Sequence, residues 1–480
     1  MNKLSNLKPS EVLSIFEEMS QIPRTSGNEK EISDWLVGYA KERNLEVYRD
    51  GALNVVIKKP GTKGYENSPA VIIQGHMDMV GEKTKTSTHD FLKDPIALRV
   101  EGDYIYATDT TLGADDGIAI AFALALLDSK DVPHPPMEVL ITTSEETGMD
   151  GAIDLDPQHI DGKILLNIDA EEEGVFLVSC AGGVNAVTSF KPAYEDKYSD
   201  AYEISIGGLK GGHSGMEIVK QRANAVKLLG RLLDRICSQH ELKLSSICGG
   251  AKHNAIAREA SAVIVCPSLK LSEISQIADE MGSIFRNEFS VEDPSISIEI
   301  KEISVERFMS LQDTRKLIDY ITVVPDGVQT VSREIQGLVV SSLNLGVLEA
   351  KDDQIIFTHS IRSSIRSLRD EIALRVQHIA KLCGANVKLS DSYPEWQYDA
   401  DSKVRDIAVK TYTDLWNKEP EIQAIHAGLE CGLLKEKLGD LDMISFGPDL
   451  YDVHTPNEHM SISSVERTYK FLKALLANLK

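Results

Sequence analysis

The chain has 480 residues, 42% of them hydrophobic and 26% charged, which marks a water-soluble globular protein too long for one ordinary core, so two domains are expected. Its 51 Lys and Arg against 74 Asp and Glu give a formal charge of −23, and no long basic run occurs, which argues against nucleic acid or an anionic membrane as a partner. There is no apolar run of about 18 residues, no secretory leader in MNKLSNLKPSEVLSIF, and no C-x-x-C pair among six scattered cysteines; a cytoplasmic protein with reduced thiols and no thiolate metal site is expected.

A first helix is expected after Pro9-Ser10, through EVLSIFEEM. A second starts near Asn28, whose partner Glu31 completes the pattern of a capping box, and sets Ile32, Trp35, Leu36 and Tyr39 on one face. Short strands follow around Leu45–Tyr48 and Leu53–Lys58. Then comes the stretch AVIIQGHMDMV: a buried-type strand, Val71-Ile72-Ile73, that stops near Gly75 and delivers His76 and Asp78 where the chain leaves the sheet. Open α/β sheets carry their chemistry at the carboxyl ends of strands, and a carboxylate two residues from a histidine can hold the ring nitrogen that does not face a metal.

The same pattern recurs. After a hairpin-like RVEGDYIYA, the almost wholly apolar run Gly117–Leu127 predicts a buried helix with Asp115 and Asp116 at its start. One carboxylate suffices to cap a helix, so the second is less well explained. MEVLITTS ends in Glu145-Glu146, adjacent carboxylates that repel unless something cationic is held beside them. KILLNI ends in Asp169, followed by Glu171–Glu173, which read as an exposed acidic turn. Far downstream, the strand Met443–Phe446 and a Gly-Pro turn precede His454 and Glu458.

Five segments thus deliver His76, Asp115, Glu146, Asp169 and His454 to element ends. Two histidines and three carboxylates suit two zinc-like ions sharing a bridging carboxylate, which would polarise a scissile carbonyl and acidify a bridging water. Glu145, beside a ligand but not itself one, is the expected general base and acid, and Asp78 the group that orients His76.

Between about Lys191 and residue 395 the character changes. KPAYEDKYSDAYEIS is polar and Tyr-rich, like a crossing between domains, and the return is expected near LSDSYPEWQYDADS. The insert alternates strand-like runs (Tyr202–Ile206, Ala262–Val265, Ile296–Ile300, Ile355–Phe357) with helical stretches, the clearest being MEIVKQRANAVKLLGRLLDRI, which predicts an α+β domain. It holds His213 in the glycine-rich GLKGGHSG, Asn254 before a strand, and Arg362 at a strand end, where a guanidinium fork suits a substrate carboxylate. No repeat by residue identity is visible.

Taken together, GHMDMV, TLGADDGIAIA, TSEETGMDGA, NIDAEEEG, GGHSG, HNAIAREA, HAGLECG and VHTPNE resemble the aminoacyl-histidine dipeptidases, a branch of the co-catalytic di-zinc metallopeptidases with carboxypeptidase, aminoacylase and tripeptidase relatives. The resemblance implies an α/β catalytic domain, with a mixed, mostly parallel sheet and helices on both faces, in two parts (residues 1–190 and 396–480), and an α+β lid domain (191–395) inserted between them. It implies that Asp115 bridges two Zn²⁺ ions (Mn²⁺ or Co²⁺ as substitutes), with a cis peptide after it. His76 and Asp169 would complete one site, and Glu146 and His454 the other. Glu145 would be the base, Asp78 the orienting acid, and His213 an oxyanion stabiliser, with Asn254 and Arg362 gripping the substrate.

The expected activity is hydrolysis of dipeptides, including Xaa-His types such as β-alanyl-histidine, by a cytoplasmic homodimer that binds neither nucleic acid nor membrane. The alternatives are a tripeptide aminopeptidase or an N-acyl-amino-acid amidohydrolase using the same site. A binding protein that has lost catalysis is disfavoured because it would have no need of Glu145.

Overall fold

The computed structural model describes residues 4, 6–333, 335 and 337–480, which form two compact units. The first comprises Met1–Ser179, Tyr398–Ala424 and Leu429–Lys480; the second comprises Cys180–Gln397 and Ile425–Gly428. Among the described residues no helix is long and apolar enough to cross a membrane.

The first unit is built on an eight-stranded sheet, an α/β architecture. At its centre run four parallel strands, in the spatial order Met137–Thr142, Val71–His76, Ile164–Asn167, Asp442–Ser445. MEVLIT and VIIQGH are buried at every position, as strands covered on both faces must be. The registers His76↔Thr142, Gln74↔Asn167 and Asn167↔Ser445 align the carboxyl ends along one edge of the sheet. Antiparallel strands Val55–Lys59 and Glu46–Arg49 extend one side, and Val175–Cys180 pairs antiparallel on the other.

Helix Ala114–Asp128 is buried all round from Gly117 to Leu127, which is why its sequence shows no polar face. Its first turn is irregular: Gly113 has φ +69°, Asp115 and Asp116 have non-helical dihedrals, and the bond between them is cis, as the resemblance implied. Strand and helix approach so closely that a Cβ on Gly75 would lie 2.4 Å from Asp116 Oδ2 and 2.5 Å from Ala119 Cβ. The hairpin read from RVEGDYIYA is present as Leu98–Glu101 and Tyr104–Ala107. His459–Ser461 pairs with its second strand, which anchors the segment that carries His454.

The second unit carries a nine-stranded sheet whose pairings among the described residues are antiparallel. It contains the same supersecondary unit twice. One copy is strand Tyr194–Gly207, helix Ala225–Cys237, strands Lys243–Gly249 and Ala260–Val265, helix Leu271–Glu288, strand Ser297–Met309. The other is strand Gly182–Phe190, helix Leu311–Val323, strands Val339–Lys351 and Gln354–Ser363, helix Arg366–Leu382, strand Asn386–Tyr393. In the sheet the two copies run in mirrored order, joined where Gly249 pairs with Leu348. The first copy is inserted after the first strand of the second, so the duplication is invisible as a linear repeat.

Four local expectations are corrected. The capping box at Asn28 does not form: the helix is Lys30–Glu42, with no side-chain cap at Glu29, whose carboxylate instead accepts from Ser144 N and Oγ at 3.1 and 2.9 Å. The polar segment after Lys191 is no crossing but the long strand Tyr194–Gly207, with Ala201, Ile204 and Ile206 buried and its other positions less so. The helix read from Met216 begins only at Ala225. Ala223 N donates to Asp293 and Asn224 Oδ1 caps Val226 N and Lys227 N, so the segment before it is a short 3₁₀ turn and an irregular run. In the acidic turn, Glu173 is largely buried and receives Nε and Nη2 of Arg467 at 2.6–3.0 Å.

Candidate metal centre

Because the central strands are parallel and in register, the loops after Val71–His76, Met137–Thr142 and Ile164–Asn167 open side by side. They converge with the start of helix Ala114–Asp128 and with the segment after Asp442–Ser445. His76 is 1% exposed. Its Nε2 lies 3.2 Å from Asp115 Oδ1 and 3.6 Å from Asp169 Oδ1. Its Nδ1 lies 3.3 Å from Asp78 Oδ1 and 3.1 Å from the carbonyl of the same residue. His454 Nε2 is 3.2 Å from Asp115 Oδ2 and 3.0 Å from the Glu146 carboxylate. Asp115 therefore offers one oxygen to each of two imidazoles. Glu145 joins the group, with ligand atoms of His76, Glu145 and Glu146 all within 4.8 Å of one another. All seven of the residues His76, Asp78, Asp115, Glu145, Glu146, Asp169 and His454 meet in the first unit.

Asp78 is fully buried and accepts at both oxygens. Oδ1 takes the amide of Glu145 at 3.1 Å, and Oδ2 takes Ser26 Oγ at 2.8 Å and the amide of Glu146 at 3.3 Å. One carboxylate thus holds the His76 ring and the Glu145-Glu146 turn together.

Asp116, which sequence reasoning left without a role, has its own. It is 1% exposed, its Oδ2 accepts the amide of His76 at 3.2 Å, and burial with the nearby Asp169 charge holds its carboxyl well above the usual range. It also groups with His76 and Asp169 as a possible donor set, but its bond to the strand end commits it to the backbone. Three other residues were given no role from the sequence: Glu430, which accepts from Gln74 Nε2, and Arg24 and Glu458 beside the Gly113 loop. Glu430 and Glu458 lie within HAGLECG and VHTPNE; Arg24 lies in no such motif.

The charges of the cluster act strongly on one another. Burial works against charge on His76, yet its bonds to Asp115, Asp169 and Asp78 raise its pKa well above the ordinary value. The carboxylates of Asp115 and Glu146 push His454 up to about 11. Burial raises Asp169 to about 6, helped by the charges of Asp115 and Glu146. Burial likewise lifts Glu145 well above the carboxylate range, with Asp169, Glu430 and Glu146 adding to it. Two imidazoles and several buried carboxylates that disturb one another's ionisation this strongly fit a pair of divalent cations.

His213, Asn254 and Arg362 lie in the second unit. His213 Nδ1 accepts the amides of Gly215 and Met216 at 3.2 and 3.1 Å, which leaves Nε2 to carry the proton; burial and the Arg362 charge lower its pKa and keep the ring neutral. The strand Gly212–His213 pairs with Ala255–Ile256, so Asn254 stands beside it, its carbonyl accepting Ser214 N at 2.9 Å. Arg362 is 8% exposed; Nη1 donates to Tyr393 OH at 2.8 Å, and Nε has no partner among the described residues.

Residues 72–478 match the model of peptidase family M20/M25/M40. The cytosol non-specific dipeptidase of Escherichia coli is 38% identical over 482 residues, covering 100% of this chain and 99% of the relative. The crystal structure of an aminoacylhistidine dipeptidase from Vibrio alginolyticus aligns with a TM-score of 0.94 at 36% identity, over 99% of this chain and 97% of that one. The aminopeptidase PepT of Bacillus cereus aligns at 0.56 and 16% identity, over 98% and 99% of the two chains, and shows the fold alone. A family match over most of the chain, and a full-length relative with more than a third of its residues in common, place this protein in peptidase family M20/M25/M40.

Proposed function

We propose that the protein is a cytoplasmic metallo-dipeptidase that cleaves dipeptides, Xaa-His types among them, with Glu145 as general base and acid. The observation that carries this reading is Asp115, whose two carboxylate oxygens face one imidazole each, Oδ1 that of His76 and Oδ2 that of His454. His76 and Asp169 would hold one cation and Glu146 and His454 the other, with Asp115 shared; Zn²⁺ suits these donors, and Mn²⁺ or Co²⁺ are substitutes. Two such ions supply an acidified water and a polarised scissile carbonyl.

The protein's own residues supply the rest. Glu145 takes a proton from the attacking water at its carboxylate and passes it to the nitrogen of the leaving amine. Asp78 holds Nδ1 of His76, so that Nε2 keeps its direction. His213, neutral with its proton on Nε2, is suited to donate to a developing oxyanion, and the Arg362 fork to receive a carboxylate. The names of the Escherichia coli and Vibrio alginolyticus relatives support the dipeptide substrate and the cytoplasmic location. The homodimer expected from the resemblance belongs to the same proposal.

The test is hydrolysis by metal-stripped protein, with and without added Zn²⁺, of a dipeptide panel including β-alanyl-histidine, a tripeptide and an N-acetyl amino acid. Zinc-dependent cleavage confined to dipeptides is expected. Cleavage of the tripeptide or the acyl amino acid alone would overturn the substrate assignment and leave the hydrolase; no cleavage with two ions bound would overturn both.

A further inference from the structure

The loop Leu112–Asp115 carries the residue on which both halves of the metal centre depend, and two buried charges from opposite ends of the chain hold it. Glu458, 2% exposed, takes its N–H groups: Oε2 accepts Leu112 N at 2.6 Å and Gly113 N at 3.0 Å, and Oε1 accepts Ala114 N at 2.8 Å and Asp115 N at 3.4 Å. Four consecutive amides thus converge on one carboxylate. Arg24, also 2% exposed, takes carbonyls: Nη2 donates to Gly113 O, and Nη1 donates to Met77 O at 2.9 Å and Asp78 O at 3.3 Å. One guanidinium therefore ties the loop bearing Asp115 to the turn bearing His76 and Asp78.

The surroundings are shaped to admit this pair. A Cβ on Gly113 or on Gly117 would come within 2.6 Å of Arg24 Nη2, and Gly113 holds the positive φ that turns its carbonyl toward the guanidinium. Thr25 bridges to Met79 and Ser26 bonds Asp78, so the segment that carries Arg24 is docked along the same turn. Two fully desolvated charges are expensive to place inside a protein. Ordinary loop packing would not require them, whereas fixing a polar backbone against displacement from both its N–H and its C=O side does.

We infer that Arg24 and Glu458 are positioning residues for the hydrolytic reaction, which set Asp115 at the distance from His76 and Asp78 at which one carboxylate can serve two cations. The inference rests on the proposed metallopeptidase reading. Both act through backbone: Glu458 through the N–H groups of Leu112–Asp115, and Arg24 through the carbonyls of Gly113, Met77 and Asp78.

The test uses full-length protein with Arg24→Met, Arg24→Lys, Glu458→Gln and Glu458→Asp, loaded with Co²⁺, beside wild type. Glu458→Gln turns an NH₂ group toward two of the four amides, and Arg24→Met releases all three carbonyls. Both are expected to lower the affinity for at least one Co²⁺ ion tenfold or more, to change the visible Co²⁺ absorption, and to lower kcat on dipeptide with KM within about threefold. Arg24→Lys and Glu458→Asp, which keep the charge, are expected to recover part of each effect. Folded variants that bind two Co²⁺ ions with wild-type affinity and spectrum would overturn the inference. So would loss of folding in all four, which would make the pair a stability element only. A wild type that takes up no pair of ions would instead defeat the peptidase reading on which the inference stands.

Discussion

Replacing Asp78 with Asn keeps the shape of the side chain and removes its charge, and the structure sets what that costs. All the partners of this buried carboxylate present hydrogens to it: Glu145 N at 3.1 Å and the His76 ring at 3.3 Å on Oδ1, Ser26 Oγ at 2.8 Å and Glu146 N at 3.3 Å on Oδ2. An Asn amide must turn its NH₂ toward one of these pairs. Ser26 can reverse its hydroxyl, so the better orientation puts the NH₂ at the Oδ2 position and leaves the amide of Glu146 facing another donor. An unsatisfied buried amide costs about 1–3 kcal/mol. Because Glu146 and His76 both belong to the proposed metal centre, the loss is expected as weaker metal binding, about 10–100-fold, the usual range for groups that orient a ligand. Calorimetric titration of Zn²⁺ into metal-free Asp78→Asn, with steady-state dipeptide hydrolysis, measures both consequences. Affinity and kcat within twofold of wild type would refute the reasoning.

Three further outcomes are expected. Gly75→Ala drives a methyl group to 2.4 Å from Asp116 Oδ2 and 2.5 Å from Ala119 Cβ, so the urea midpoint should fall by the equivalent of about 1–3 kcal/mol; an unchanged midpoint would count against so close a strand–helix contact. Glu430 is fully buried, Gln74 Nε2 and Thr142 Oγ1 both donate to its Oε2 at 2.6 and 2.7 Å, and burial pushes its carboxyl up to about 7 from an ordinary 4.5. The metal-free native state therefore keeps a proton that the unfolded chain releases, and this contribution is present below about pH 4.5 and lost as pH rises to about 7. Glu430→Gln should flatten that slope and, at pH 8, exceed wild type by a figure on the order of 3 kcal/mol; parallel pH–stability curves would contradict the assignment. Zn²⁺ at one hundred times its dissociation constant should raise stability by about 2.7 kcal/mol per site, and a thermal midpoint indifferent to Zn²⁺ and to chelator would exclude a metal centre here.

The architecture of the first unit was legible because its central strands are buried on both faces. VIIQGH and MEVLIT announce themselves as short apolar runs, and the polar residue that ends each run marks where the sheet opens. The buried helix was legible for the same reason, as a run from Gly117 to Leu127 with no polar interruption. What stayed hidden depends on partners distant in sequence. Arg24 stands 53 residues from Met77 and 89 from Gly113, and Glu458 stands 346 residues from Leu112, so no local pattern relates them. Asn28 and Glu31 resembled a capping box, but the helix starts after Glu29, whose carboxylate went to Ser144, 115 residues away. The strand Tyr194–Gly207 was obscured because one neighbour, Ser297–Met309, is itself a largely exposed edge strand, which leaves polar residues at half its positions. The duplicated unit escaped notice because one copy interrupts the other, and the two share topology, not residues.

The central claim is that Glu145 moves the proton while His76, Asp115, Glu146, Asp169 and His454 hold the cations. Glu145→Gln, prepared beside wild type with its bound metal counted and its rate on one cleaved dipeptide measured, separates these roles. The account expects two ions bound as in wild type and a kcat lower by about 10²–10⁴-fold. A variant that binds both ions and still hydrolyses the dipeptide within a few-fold of the wild-type rate would contradict it.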